Sequence, residues 1–358
     1  EKICAVTGKA AKRRFFGKSA GTCDRNGPAA GTEGAGENFH DPGGDPGAAI
    51  KDGFVNGVII IDKPQGFTSF DVIAVMRRLC AQRKIGHTGT LDPMATGVLP
   101  LLLGSATRAQ ALIPDSDKEY VAQFQLGITT DTLDSTGKTL TQKPYTGIGR
   151  QQILQVCAQF EGKIMQTPPM YSAVQKDGQR LYDLARKGVT VERAPRPVAI
   201  RALSLQDYQE KEGTGTIRVS CSKGTYIRSL VDDMGAALGC GAVLAGLRRT
   251  GACGFTLEQA ATLEQMRALA QQGLAAQRLL PTEHLFLCYR AITVTERQAT
   301  RFKNGGALDL ARTSLHHEDC PDGSLFRIKD AQGVFLGLGV IRKAREQLAV
   351  WKLFCTRE

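Results

Sequence analysis

Gly86-His87-Thr88-Gly89-Thr90-Leu91-Asp92-Pro93, residues 86–93, puts two glycines, a histidine, two threonines and one carboxylate into eight positions. Glycine permits tight backbone geometry and lets a ligand approach the chain closely. Asp92 precedes a proline, which biases its backbone toward an extended conformation and projects the carboxylate from the loop. The flanks say what the loop connects. Before it, Thr68 to Asp71 reads as a capping box with Asp in place of Glu, and Val72, Val75, Met76 and Leu79 recur at i, i+3, i+4 and i+7. A helix therefore ends ahead of Gly86. After the loop comes the apolar run Val98–Leu103. Taken by themselves, the eight residues also read as an ordinary glycine turn in which Asp92 caps a neighbour.

Outward from the loop, Val58–Ile61 is a short β-branched run that predicts a buried strand, closed by a turn over Asp62–Gly66. Tyr120, Ala122, Phe124 and Leu126 alternate with Val121, Gln123 and Gln125, which is strand periodicity. Ile153, Val156, Cys157 and Phe160 mark a helix ending at Gly162. Ile227, Leu230, Val231 and Met234 mark another, with Thr225 as its cap and Gly239 as its stop. Strands and helices mix without a strict βαβ rhythm, so the fold class is α+β. From about residue 286 the pattern turns β-rich: a strand at Leu325–Ile328, a turn at Gln332-Gly333, then Val334, Leu336, Leu338 and Val340 in alternation. Residues 1–52 hold ten of the forty glycines and no sustained apolar periodicity. They read as a disordered extension, or as a basic tail touching a polyanion. The expected domains are 1–52, 53–285 and 286–358.

The bulk numbers narrow the function. The 358 residues are 42% hydrophobic and carry a net charge of +11, which points to a polyanionic partner, nucleic acid first. Arg77, Arg78, Arg83, Lys84 and Arg108 cluster around the loop, as a phosphate backbone requires; a solvated helix face accounts for the first two equally well. The ten cysteines show no zinc-knuckle spacing and lie in apolar segments, so reduced thiols in a cytoplasmic protein are expected. The five histidines form no metal-ligand set, and there is no phosphate-binding GxxxxGK[ST] loop. No run is long enough to span a membrane, and the chain as given shows no secretory signal.

Read together, GVIIIDKPQGFTSFDV, GHTGTLDPMATGVLPLLLGSATR, DKEYVAQFQLGITTDTLDSTG, QTPPMYSAVQKDGQRLYDLARKG and CSKGTYIRSLVDDMGAALGCGAVLAGLRR resemble the TruB family of tRNA pseudouridine synthases, from about Gly57 to Leu287. The C-terminal unit, ending in FLGLGVIRK and WKLF, is similar to the small PUA-like RNA-binding domain of bacterial members. The resemblance implies a pseudouridine synthase fold with a mixed, mainly antiparallel sheet flanked by helices. It implies isomerisation of uridine at position 55 in the tRNA T-loop, with no cofactor and no metal. It makes Asp92 the nucleophile, Tyr120 the ring against the target base and Arg228 the partner of the aspartate. His87 would stand beside flipped-out nucleotides, Tyr226 and Leu247 would contact the uridine, and Lys63 would support the loop. Gly86 and Thr90 join them as loop residues, and Asp131, in the TDT block, would help order the site. Gln175 stands where members usually carry lysine. tRNA is then the partner, and a monomer with no obligate protein partner is expected.

The chemistry suits these roles. Pseudouridine formation breaks the N1–C1′ bond, turns the base over and joins C5 to C1′, so no electron or group enters or leaves. A carboxylate can attack the ribose or C6 of the base. Burial raises a carboxyl pKa and a guanidinium opposes the shift. The base must leave its stack, at a cost of a few kcal/mol offset by stacking on an aromatic ring. From the residues alone, Tyr120 also reads as a core tyrosine and Arg228 as a phosphate contact. A non-catalytic tRNA-folding factor and a guide-RNA-dependent synthase are the competing functions.

Overall fold

Apolar patterning and capping chemistry place the elements. A computed structural model describes residues 56–114 and 117–355, so the reading of residues 1–52 lies outside the described residues. In chain order come β1 (Gly57–Lys63), α1 (Ser69–Leu79), β2 (Ile85–His87), β3 (Thr96–Leu103), β4 (Lys118–Leu126), β5 (Ile128–Thr130), β6 (Thr139–Gln142), α2 (Arg150–Phe160) and β7 (Gly162–Gln166). There follow β8 (Gln175–Lys176), β9 (Gln179–Arg180), α3 (Leu181–Arg186), β10 (Arg196–Gln209), β11 (Thr214–Cys221), α4 (Ile227–Ala237), β12 (Ala242–Ala252), β13 (Phe255–Thr256) and α5 (Leu263–Gln271). The C-terminal group is β14 (Ala291–Thr293), α6 (Glu296–Lys303), β15 (Leu308–Asp309), β16 (Leu325–Lys329), β17 (Phe335–Arg342) and β18 (Gln347–Leu353).

Among the described residues, nine strands form the main sheet, in the order β1-β3-β12-β4-β11-β10-β7, with β2 added to β3 and β13 to β12. Only the β3–β12 pairing is parallel, so the sheet is mixed and mainly antiparallel. Successive residues of β1 enter different cores, which is why its apolar run is unbroken. Ile59 and Ile61 pack with Val72 and Met76 of α1, Ile153 of α2, Leu230 and Met234 of α4 and Met266 of α5. Val58 and Ile60 face a second cluster with Phe286, Leu338 and Phe354. Full burial of each such side chain stabilises by about 1.5–3 kcal/mol. Tyr120, Ala122, Phe124 and Leu126 lie buried on one face of β4, as their alternation predicts.

A five-stranded sheet, β14-β16-β17-β18-β15, carries its own core around Phe302, Ile328 and Leu336. Three local expectations change. Ile85 to His87 is a strand paired to β3, so the motif's first two residues are sheet rather than loop. Tyr226, with no side-chain cap, precedes α4, while Thr225 turns its hydroxyl to Ser222 O at 2.9 Å. In β17, residues Leu336 to Ile341 are buried on both faces because β16 and β18 flank the strand and a core lies on each side, and Val334 lies outside it, exposed. α1 has the predicted capping box, and Gly239 ends α4 with φ of +82°.

Candidate active site

Three central strands set a row of residues side by side. Gly97 at the start of β3 pairs with Arg249 of β12, and Arg249 pairs with Tyr120 of β4. Gly97 has φ of +103°, and a Cβ there would lie 2.1 Å from Arg249 O, so only glycine allows the strands this close. Asp92 lies just before this row, on the segment that links β2 to β3. Its loop is pinned from two sides. Ser69, the first residue of α1, accepts from Leu91 N at 2.9 Å and donates to Leu91 O at 3.3 Å. Lys63, fully buried, donates to the carbonyls of Phe67 (2.6 Å), Pro64 (2.9 Å) and Pro93 (3.3 Å). Burial pushes the Lys63 amine down to about 8, against the pull of Asp92, which favours its charge.

Arg228, near the start of α4 and 5% exposed, places Nε 3.0 Å from Asp92 Oδ2. Its other nitrogens reach the carbonyls of Tyr171 (2.7 Å) and Thr132 (3.0 Å), and Asp134 Oδ2 lies 3.7 Å away. A planar guanidinium meets four partners in fixed directions, which a lysine ammonium does not. The Asp92 side chain keeps 36% exposure, so solvent or substrate reaches one edge, while the protein packed behind it still disfavours the charge. Burial raises the Asp92 carboxyl above the ordinary value. Arg228 opposes this without cancelling it, Asp134 adds to it and Lys63 works against it. The carboxylate is thus ion-paired but not relaxed.

Tyr120 is buried, and its phenol is pushed up by that burial, with the Arg249 guanidinium opposing. At neutral pH it is a protonated phenol. His87 is held neutral by burial and by the repulsion of Arg249; neither ring nitrogen has a hydrogen-bond partner among the described residues. Tyr226 is clamped by Gln166, whose Oε1 accepts from Tyr226 N at 2.8 Å and whose Nε2 donates to Tyr226 O at 3.1 Å. Leu247 is half-buried on β12 and Thr90 is exposed. Gly86 and Gly89 have neither positive φ nor a clash awaiting a Cβ, so the backbone does not use the freedom that their glycines offer.

Asp131 does not stand at the site's carboxylate position. It is exposed and accepts from Lys138 N at 2.8 Å, which fixes the β5–β6 turn. The buried carboxylate at Arg228 is Asp134, which also accepts from Thr132 and Thr136. Arg249, 1% exposed, was missed as well: it donates to Val98 O at 2.7 Å and Gly89 O at 3.1 Å, tying the motif loop to the sheet. Its neighbour Arg248 points the other way and grips Asp62 through both oxygens, at 2.7 and 3.2 Å. The alternation of a strand was the available signal, but it does not say which of two adjacent arginines turns inward.

Among the described residues, no group of His, Cys, Asp and Glu is arranged to hold a metal ion, and Cys80, Cys157, Cys221, Cys240, Cys253, Cys288 and Cys320 are free thiols. Gln175 is exposed on the β8–β9 hairpin. The family model for the N-terminal domain of TruB family pseudouridylate synthases matches residues 77–227, and the model for the tRNA pseudouridylate synthase B C-terminal domain matches residues 228–286. The chain is 44% identical over 290 residues to tRNA pseudouridine synthase B of Pseudomonas fluorescens strain Pf0-1, covering 80% of this chain and 92% of that protein. It is 43% identical over 291 residues to tRNA pseudouridine synthase B of Cupriavidus metallidurans, covering 81% and 91%. Among solved structures it resembles the crystal structure of a Cbf5-Nop10-Gar1 complex, with TM-score 0.64, 28% identity and coverage of 84% and 85%. Two consecutive family models and relatives matched over nine-tenths of their length agree with the paired aspartate and arginine: the chain belongs to the TruB family of pseudouridylate synthases.

Proposed function

We propose that this enzyme isomerises uridine to pseudouridine at position 55 in the T-loop of tRNA, with Asp92 as the nucleophile. The observation that carries the reading is the Asp92–Arg228 ion pair at 3.0 Å, at the solvent-reached edge of an otherwise buried charge cluster. The relatives' name, tRNA pseudouridine synthase B, supports tRNA as the substrate. In the reaction the N1–C1′ bond breaks, the base turns over, C5 bonds to C1′, and the proton lost from C5 is balanced by one gained at N1. Asp92 attacks as the carboxylate, and Arg228 keeps that form populated against burial. Tyr120 offers its ring to the base and, being a neutral phenol, works through its oxygen lone pair and its π-face. Tyr226 and Leu247 line the uridine, and His87 stands beside the displaced nucleotides. Residues 286–358 act as a PUA-like RNA-binding domain beside a catalytic domain over 53–285. The enzyme works in the cytoplasm as a monomer without cofactor or obligate protein partner.

The test is hydrogen release from C5 of labelled uridine in an unmodified tRNA transcript, using the purified chain alone. Wild type releases label and Asp92→Asn binds tRNA but releases none. Binding without release by wild type would make the protein a tRNA-folding factor. The likeness to Cbf5 in a complex favours a second reading, a guide-RNA-dependent synthase within a particle. Turnover by the isolated chain on bare transcript excludes it.

A further inference from the structure

α1 carries an aromatic side chain that its packing does not use. Phe70 is 62% exposed, while Ser69, Val72 and Ile73 beside it are buried. Its backbone is fixed relative to the nucleophile. Ser69 holds both polar groups of Leu91, the residue before Asp92, and the Thr68–Asp71 capping box locks the turn on either side of Phe70. The ring stands edge-on to His87, with centroids 5.8 Å apart and planes at 64°. Both nitrogens of that histidine lack a partner among the described residues.

The same helix face continues away from the catalytic loop. Ala74 and Arg77, at i+4 and i+7 from Phe70, are both exposed. Arg77 has no ion-pair partner among the described residues and sits two turns, a rise of about 10 Å, along the helix from Phe70. Exposed Arg83 and Lys84 follow at the exit of the helix. Asp71, the one acid on this turn, is engaged in the capping box. An aromatic face, then a small residue, then a free cation suits a single-stranded nucleotide, with the base on the ring and the phosphate on the cation. The basic surroundings favour RNA over an apolar protein segment.

We infer that Phe70 is a stacking platform for an unpaired nucleobase of the substrate RNA next to the displaced uridine, with Arg77 taking the adjoining phosphate. This rests on the tRNA reading above. It makes Phe70 a specificity residue that sorts folded T-loops by whether they offer an unstacked base at that point.

The experiment measures the Kd of unmodified tRNA transcript for Phe70→Ala, Phe70→Leu and Phe70→Tyr in an Asp92→Asn background, and KM and kcat with Asp92 intact. Ala and Leu are expected to weaken binding roughly 5- to 150-fold, the span of one base–aromatic stack. Tyr restores most of it. The loss falls on Kd and KM far more than on kcat, and melting temperatures stay within about 2 °C because the ring is exposed. Unchanged Kd and KM in Phe70→Ala, with an active wild type, overturns the inference. So does a lowered melting temperature with unchanged Kd, which would make the ring a packing element. So does unchanged tRNA binding with lost self-association in sedimentation, which would assign the ring to a second copy. A wild type that neither binds nor modifies tRNA sinks the tRNA reading itself and is seen before any variant is compared.

Discussion

Replacing Arg228 with methionine removes one side chain and four interactions. The volume is nearly kept, so cavity formation contributes little. What is lost is the cation 3.0 Å from Asp92, its partial pairing with Asp134 at 3.7 Å, and the donors to Tyr171 O and Thr132 O. Removing one partner of a fully buried ion pair costs about 3–5 kcal/mol, because the remaining charge stays buried without compensation, and the 36% exposure of Asp92 puts this site toward the lower end of that range. If that energy sustains the reactive carboxylate, the rate falls roughly 10²- to 10⁴-fold. The loss must depend on pH. Burial already raises the Asp92 carboxyl, and without the guanidinium it rises further, so alkaline solution recovers part of the activity by ionising it. Arg228→Lys keeps a charge but not the planar fork, and an intermediate loss of about 10- to 100-fold is expected. Single-turnover release of C5 label across pH 6–9 reads all three enzymes, with tRNA binding and thermal unfolding as controls. Wild-type rate at pH 7 in Arg228→Met would refute the reasoning. So would a loss that is flat across pH in a folded, tRNA-binding variant.

Asp134 pushes the Asp92 carboxyl up, so Asp134→Asn should move the acid limb of the pH–rate profile to lower pH; an unmoved limb removes Asp134 from the electrostatics of the site. Lys63 titrates at about 8 in the folded chain against an ordinary 10.5, so the unfolded chain holds more protons between those values. Stability therefore rises with pH through that window, by about 3 kcal/mol in all from this group, relative to a Lys63→Met reference followed by chemical denaturation. Ser69→Ala leaves Leu91 N without its acceptor and should lower kcat while leaving the Kd for tRNA unchanged, with a stability loss of about 1–3 kcal/mol in thermal melts.

Local patterns were legible in the chain wherever a residue's neighbours in sequence decide its structure. The capping box at Thr68–Asp71, the alternation of Tyr120 to Leu126 and the stop at Gly239 all appear as read. The motif around Asp92 and its resemblance to a known family brought Asp92, Tyr120 and Arg228 together on paper, and the fold places Asp92 and Arg228 in contact. What the sequence left undecided shares one cause. Asp131 and Asp134 are three residues apart, and Arg248 and Arg249 are adjacent, so composition and spacing treat each pair alike.

Element type, the helix caps and the identity of the reactive loop are properties of short stretches, because hydrogen-bonding side chains and apolar periodicity act over a few residues. Which arginine anchors the loop followed from the register of β12 against β3 and β4, and which aspartate enters the charge cluster followed from the bridge of Asp134 to Leu244 of β12, segments far apart in the chain. The altered acidities of Asp92, Lys63 and His87 follow the same rule, since desolvation is set by everything packed around a group and not by its neighbours along the backbone.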